Sequence, residues 1–242
     1  MVQVIAHRGF SGRFPENTAI AFREALSLGV EAVELDVHLS RDGEPIVIHD
    51  AAVDRTSDGS GRVDQLNLSD IRSLDAGGWF ASAFRGERFL TLQDALELLG
   101  GQARLNVHVK AYDHDREEVI PLTARLLEDR GLLGSAYIAS DEESIRLAAR
   151  IVPQLATCNL TTQPKETYIV RSASVGCRIL QPGNAQVDEA LVSEAHRCGM
   201  EVNPFYADDE AEMRRLTASG VDGILTNWPD RLLTLREGGN FP

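Results

Sequence analysis

Histidines, carboxylates and cations fall at the ends of apolar runs in this chain, and these residue types move protons and neutralise negative charge. The first run closes on His7-Arg8-Gly9. The next carries Glu34 and Asp36 one residue apart, so in an extended strand both carboxylates face one side. A third closes on His49-Asp50, and a later one carries Asn106, His108 and Lys110 in the same alternation. Thr226 and Asn227 stand at the end of the last. Burying Glu34 and Asp36 on an inward face is costly unless a cation neutralises them, and a hard divalent ion such as Mg2+ or Ca2+ suits oxygen ligands. Lys110 and Arg8 supply positive charge that suits a small anionic substrate, although Lys110 also reads as an ion-pair partner for the acids. His38, His114 and His196 lack the strand-end setting and read as ordinary core or surface histidines.

Elements that position these residues alternate along the whole chain. Strand-like runs lie at Val2–His7, Ala32–Val37, Pro45–His49, Arg104–Lys110, Ala136–Ser140, Gln154–Asn159, Arg178–Gln181, Glu201–Phe205 and Gly223–Thr226. Helical periodicity marks Thr18–Leu28, Leu92–Leu99, Glu117–Arg130, Glu142–Ile151, Asp188–Cys198 and Asp209–Ser219. Such alternation implies parallel strands with crossover helices, and about eight units favour an α/β (β/α)8 TIM barrel over an open sheet. Pro45–His49 is set apart as an extension of the second unit. Asn17 reads as the N-cap of the first helix and Gly29 as its stop. The segment of about 51–88, rich in Asp, Ser and Gly, reads as an insertion after the second unit, standing over a barrel mouth. In this fold the active site lies at the C-terminal ends of the strands, where the residues above converge.

A length of 242 residues, with 43% hydrophobic and 25% charged, suits one domain over 1–242. The net charge of −13 argues against nucleic acid and anionic membranes as partners, while leaving room for a small anionic substrate beside local cations and a metal. The start of the chain has no signal-peptide pattern, and no apolar stretch approaches a membrane span, so no stable membrane anchor is expected. Cys158, Cys177 and Cys198 lack metal-type spacing and read as reduced thiols of a cytoplasmic protein. Oligomeric state, including a homo-oligomer, is left open.

Taken in order, several segments resemble the glycerophosphodiester phosphodiesterase family. They are His7-Arg8-Gly9, Pro15-Glu16-Asn17-Thr18, Glu34-Leu35-Asp36-Val37, Asp42-Gly43 and Val47-Ile48-His49-Asp50. The match continues through Asp54-Arg55-Thr56-Ser57-Asp58-Gly59, Leu74-Asp75-Ala76-Gly77, Leu90-Thr91-Leu92 and Gly220–Thr226. The resemblance implies a divalent-metal barrel enzyme that cleaves glycerophosphodiesters to glycerol 3-phosphate and an alcohol. It implies His7 and His49 as general acid and base, Glu34 and Asp36 as metal ligands, and a substrate site that includes Arg8, Glu16, Lys110 and Phe205. It also implies attack by a neighbouring glycerol hydroxyl and a cyclic phosphate that water then opens.

Two departures stand out. The family usually has Asn-x-Glu-x-Lys with a metal-binding Glu, where this chain has Asn106-Val107-His108-Val109-Lys110. His108 as a neutral nitrogen ligand moves preference toward Mn2+ or Zn2+; the alternative is an ion held by Glu34 and Asp36 alone. The family's usual Trp-Thr-Val-Asn is Phe205-Tyr206-Ala207-Asp208 here, which suggests a different head group, such as a sugar-alcohol diester. Competing readings are a lyase that releases the cyclic phosphate as product, and a catalytically silent binding protein of the same fold.

Overall fold

In a computed structural model of the protein, which describes residues 1–160 and 164–238, the chain opens with strand β1 (Gln3–Ala6), which pairs in parallel with the second and the last strands. It is followed by α1 (Ala19–Ser27), β2 (Ala32–Leu39), the short β3 (Pro45–Val47), α2 (Leu68–Ser73) and α3 (Leu92–Leu99). Regular alternation then takes over: β4 (Arg104–Val109), α4 (Arg116–Asp129), β5 (Ala136–Ser140), α5 (Glu142–Ile151), β6 (Ala156–Asn159) and α6 (Lys165–Ser174). The chain continues through β7 (Ile179–Leu180), α7 (Glu189–Arg197), β8 (Glu201–Val202), α8 (Glu210–Ala218), β9 (Gly223–Thr226) and α9 (Pro229–Glu237).

The parallel strands pair in the order β8-β7-β6-β5-β4-β2-β1-β9. Backbone hydrogen bonds from Asp222 N to Val202 O, Leu225 N to Pro204 O and Ala207 N to Leu225 O join the two ends of this path. The result is a nearly closed (β/α)8 barrel, as the alternation predicts. β3 stands off the path as the antiparallel partner of β2.

Period-two alternation on β2 explains how the chain makes a core and a site with the same strand. All eight of its residues are buried. Val33, Leu35, Val37 and Leu39 pack into the main apolar cluster with Phe22, Ala25, Leu92 and Leu96, beneath the helices. Glu34, Asp36 and His38 therefore share the opposite, inward face. Parallel pairing aligns Glu34 with Asn106 and Asp36 with His108 on β4. A one-residue slip would send all of these polar groups into the apolar layer, so burial pins the register.

The N-terminus of α1 differs from the sequence expectation. Thr18, not Asn17, is the N-cap, its Oγ1 accepting a hydrogen bond from Ala21 N. Asn17 takes a left-handed backbone at φ 58 and points its side chain at Asp36 instead. Gly29 stops the helix at φ 74, as expected. Three helices absent from the sequence expectation are present: α2 inside the insertion, α6 and α9. The last carries Pro229 at its first turn, a start signal that the sequence does display.

Between β3 and α3 the insertion builds a small core of its own. Ile46, Ile48, Val53, Val63, Ile71, Ala76 and Phe89 cluster there, flanked by Leu66, Leu68 and Leu74. Asp75 ties the segment by accepting backbone hydrogen bonds from Gly77, Gly78 and Gly86 at 2.7–2.9 Å. These bonds hold its carboxyl below the usual range. Among the described residues, no helix is long and apolar enough to cross a membrane.

Candidate active site

The turn after β1 has two successive residues in the left-handed region. Arg8 is left-handed at φ 57 and Gly9 follows at φ 79. A Cβ on Gly9 would lie 2.7 Å from the Ala21 backbone, so only glycine lets the turn approach α1. The Arg8 conformation costs about 1–2 kcal/mol for a residue with a Cβ. It aims the Arg8 N–H at Glu34 Oε2, 2.9 Å away. The other left-handed non-glycine residue among the described residues, Asn17, donates its own N–H to Arg8 O at 3.0 Å. Strain thus gathers where two loops grip the carboxylates of β2.

Those carboxylates form a buried charge cluster. Each is about 1% exposed. Asp36 faces Arg8 Nε at 3.2 Å, Lys110 Nζ at 3.1 Å and His108 Nδ1 at 3.3 Å, and accepts from Asn17 Nδ2 at 3.1 Å. Burial would push Asp36 up, but His108, Lys110 and Arg8 hold it well below the ordinary carboxylate range. Glu34 has the opposite fate: burial and the charge on Asp36 push it up to about 8. Two adjacent desolvated carboxylates cannot both stay ionised cheaply without more positive charge. Asp36 Oδ1 also receives no aligned hydrogen bond despite its close cations. Ligand atoms of Glu34, Asp36 and His108 lie within 4.8 Å of one another. Atoms bound to one ion at roughly 2.0–2.6 Å lie no more than roughly 5 Å apart, so the trio fits a divalent cation. Burial, then Lys110, lowers the affinity of His108 for a proton, which leaves its ring neutral as a ligand must be.

Each strand-end histidine is tethered through Nδ1. His49 Nδ1 and Asp50 Oδ1 are 2.7 Å apart, which leaves Nε2 as the free ring nitrogen. His7 Nδ1 lies 2.8 Å from Asn227 Oδ1. Asn227 Nδ2 donates to Asp208 Oδ2 at 2.7 Å, and this fixes which end of the amide faces His7. His7 therefore carries its proton on Nδ1 and presents a bare Nε2. Tyr206 stacks on its ring with centroids 5.1 Å apart. Burial, reinforced by Arg8, pushes His7 down to about 4. Both histidines, Arg8, Lys110, the Glu34/Asp36/His108 trio, Leu160, Gln181, Phe205 and Tyr206 line one pocket of about 390 Å³ at the C-terminal mouth.

The family model described as the glycerophosphoryl diester phosphodiesterase family matches residues 7–231. The chain belongs to this family. It is 35% identical to a glycerophosphodiester phosphodiesterase of Caldanaerobacter subterraneus subsp. tengcongensis, over 98% of each chain. Among solved structures, it is similar to a phosphodiesterase of Oleispira antarctica determined with the product sn-glycerol-3-phosphate. That match has 29% identity and a TM-score of 0.88, and it covers 96% of this chain and 95% of the other. A glycerophosphodiester phosphodiesterase of Agrobacterium tumefaciens matches at 31% identity and a TM-score of 0.85, over 96% and 99% of the two chains. The protein is thus a phosphoric diester hydrolase acting on glycerophosphodiesters.

On this glycerophosphodiester phosphodiesterase scaffold, eight of the nine site residues expected from the sequence line the pocket. Glu16 is the exception. It stands behind the pocket wall, accepting from Arg8 Nη1 at 2.9 Å and from Arg55 at 2.8 and 2.9 Å. Arg55, from the insertion, also grips Asp50 at 2.7 and 3.1 Å. This guanidinium, more than anything else, keeps the Asp50 carboxyl ionised. His49 is hydrogen-bonded to Asp50, and from there an unbroken chain of ion pairs runs Asp50–Arg55–Glu16–Arg8–Asp36.

Two residues that the sequence suggests for other roles stand as supports of the site. His38 donates from Nε2 to His49 O at 3.0 Å; its place two residues after Asp36 on the same strand face was the available signal. Asp208 is the other. It faces Asn227 and Thr226 and is absent from the pocket wall, so it does not explain a changed head group in the way its sequence position suggests. Asp208→Ala is expected to lower kcat about tenfold with KM within about twofold, by releasing Asn227 and the His7 ring. Steady-state kinetics would check this, and an unchanged kcat would remove Asp208 from the positioning of His7.

Proposed function

We propose that the protein is a divalent-metal-dependent hydrolase of glycerophosphodiesters in which His7 and His49 exchange the reaction's protons. The observation that carries this reading is the convergence of two Nδ1-tethered histidines, two cations and the Glu34/Asp36/His108 trio on one pocket. Arg8 and Lys110 bind and orient the phosphate oxygens, arginine by its planar fork and lysine as a point charge. Glu16 holds the Arg8 fork from behind. One histidine Nε2 accepts the proton of the attacking glycerol hydroxyl, while the other donates a proton to the departing alkoxide. Water then opens the cyclic phosphate with the two proton transfers reversed, giving glycerol 3-phosphate and regenerating both rings. A bound divalent ion at Glu34, Asp36 and His108 supplies Lewis-acid stabilisation of the charge on the phosphoryl oxygens.

Turnover of a glycerophosphodiester panel with Mg2+, Ca2+, Mn2+ or Zn2+, with products read by phosphorus NMR, tests the proposal. Glycerol 3-phosphate as the final product is expected. A persistent cyclic phosphate would make the enzyme a lyase, and no turnover with any ion would overturn the reading.

His108 bears on which ion is preferred. A neutral imidazole leaves less negative charge at the site than the family's usual glutamate and favours Mn2+ or Zn2+. His108→Glu is expected to raise affinity for Mg2+ and Ca2+ about tenfold relative to Mn2+, as read by calorimetric titration. Unchanged relative affinities would take His108 out of the ligand set.

A further inference from the structure

Residues 54–59 of the insertion stay outside the catalytic pocket, yet Arg55 reaches the back of its wall. We propose that Arg55 is a positioning residue for the reaction, a single guanidinium that holds the proton-transferring His49 and the phosphate-binding Arg8 in place through Asp50 and Glu16. The insertion thereby becomes a working part of the site. The inference rests on the phosphodiesterase reading above.

The hydrogen bonds are arranged alike on the two sides of Arg55. Asp50 Oδ1 accepts from His49 Nδ1 at 2.7 Å and from Arg55 Nη2 at 3.1 Å, while Asp50 Oδ2 accepts from Arg55 Nε at 2.7 Å. Glu16 Oε1 accepts from Arg8 Nη1 at 2.9 Å and from Arg55 Nη2 at 2.8 Å, while Glu16 Oε2 accepts from Arg55 Nη1 at 2.9 Å. In each carboxylate one oxygen is shared with a group of the site, and the other is fixed by Arg55. The planar fork commits all its nitrogens, and Nη2 stands between the two shared oxygens. Burial would push the Glu16 carboxyl up, but Arg55 and then Arg8 hold it below the usual range, so it is an ionised acceptor like Asp50.

Exposure makes this bridge necessary for His49. The side chains of His49 and Asp50 are each 33% exposed, and a pair so open to water constrains its partners weakly. Two bonds from Arg55 stop the Asp50 carboxylate from turning, and so fix where His49 Nε2 points. On the other side, the same fork stops Glu16 from turning and taking the Arg8 guanidinium with it. Arg55 itself stands on a braced backbone. Asp54 Oδ2 accepts from Gly61 N at 2.9 Å, Ser57 Oγ donates to Val53 O at 2.7 Å, and Val53 is buried in the insertion's own core. A lysine here would supply the charge without the fork.

Arg55→Ala is expected to lower kcat about thirtyfold and to weaken binding of glycerol 3-phosphate about tenfold, within the range of coupling through one hydrogen-bonded network. The first effect runs through Asp50 and the second through Glu16, so double-mutant cycles separate them. Added to Asp50→Asn, Arg55→Ala should lower kcat less than about threefold further; added to Glu16→Gln, it should weaken product binding less than about threefold further. Arg55→Lys, which keeps the charge and spares the fold, should still lose at least about fivefold in each measurement. Arg62→Ala, which removes a neighbouring arginine bonded to Asp64, should match the wild type in both. Fully additive effects, wild-type values for Arg55→Lys, or equal losses in Arg62→Ala would overturn the inference. The Nδ1–H resonance of His49 in 15N-labelled protein reads the same constraint without substrate. It should be sharp in the wild type and Arg62→Ala, and broadened by exchange in Arg55→Ala. If no diester is hydrolysed but this broadening and the weaker product binding appear, the phosphodiesterase reading has failed and the bridge stands. Wild-type hydrolysis by Arg55→Ala with a sharp His49 resonance keeps the reading and removes the bridge.

Discussion

Replacing His7 or His49 by alanine is expected to lower kcat at least about a hundredfold, the usual scale for a general acid or base. The argument rests on tethering. Each ring is held through Nδ1, His7 by Asn227 and His49 by Asp50, so each presents Nε2 to the same pocket. On the proposed mechanism, removing either ring leaves one proton transfer to bulk water, while Arg8 and Lys110 stay in place to bind the substrate's phosphate. KM should therefore change far less than kcat, and steady-state kinetics on a glycerophosphodiester would show this. A rate within about threefold of wild type for either variant would remove that histidine from the chemistry.

His7→Ala carries a second signature in stability. Folding lowers the His7 pKa from 6.5 to about 4, chiefly through burial. The ring is neutral in both states above pH 6.5, so no pH dependence arises there. As pH falls toward 4 the unfolded chain takes up a proton that the folded one refuses, and about 3 kcal/mol of stability is lost. Urea unfolding at pH 7 and pH 4.5 should show this acid-side loss in the wild type and a smaller one in His7→Ala. An identical loss in both would show that His7 does not titrate as its burial requires.

Asp36→Asn is expected to weaken divalent-ion binding at least about a hundredfold and to destabilise the fold by about 3–5 kcal/mol, the range for breaking a buried ion pair. Asp36 is the hub of the site: Arg8, Lys110 and His108 lie within 3.1–3.3 Å of its oxygens. An amide leaves these groups buried beside a neutral partner, with Glu34 as the remaining carboxylate of the trio. Calorimetric titration with Mn2+ and urea unfolding measure the two effects separately. Tight ion binding in Asp36→Asn would place the metal elsewhere. Unchanged stability would mean that solvent, rather than Asp36, screens Arg8 and Lys110.

Much of the site is legible in the sequence, because strand periodicity converts spacing into facing. Glu34 and Asp36, one residue apart, had to share a side of β2, and the barrel expectation sent that side inward. Asn106, His108 and Lys110 followed the same rule on β4 and just beyond it. The same rule places His38 on that face of β2 too, although it lacks a strand-end position. Asn17 misled for a physical reason. Asn and Thr both cap helices well, and nothing local distinguishes them once a distant carboxylate competes for the Asn17 side chain.

The sequence by itself determined the alternation of strands and helices, the residues at the strand ends, and hence the kind of chemistry available. Those properties are local, set by period, turn residues and side-chain type. Only the tertiary structure decided the connections. The parallel register put His108 beside Asp36, the insertion delivered Arg55 between Glu16 and Asp50, and the loop after β8 placed Asp208 behind Asn227 and, through it, the ring of His7. Each contact joins residues far apart in the chain, and its partner is chosen by which elements barrel closure and burial bring together.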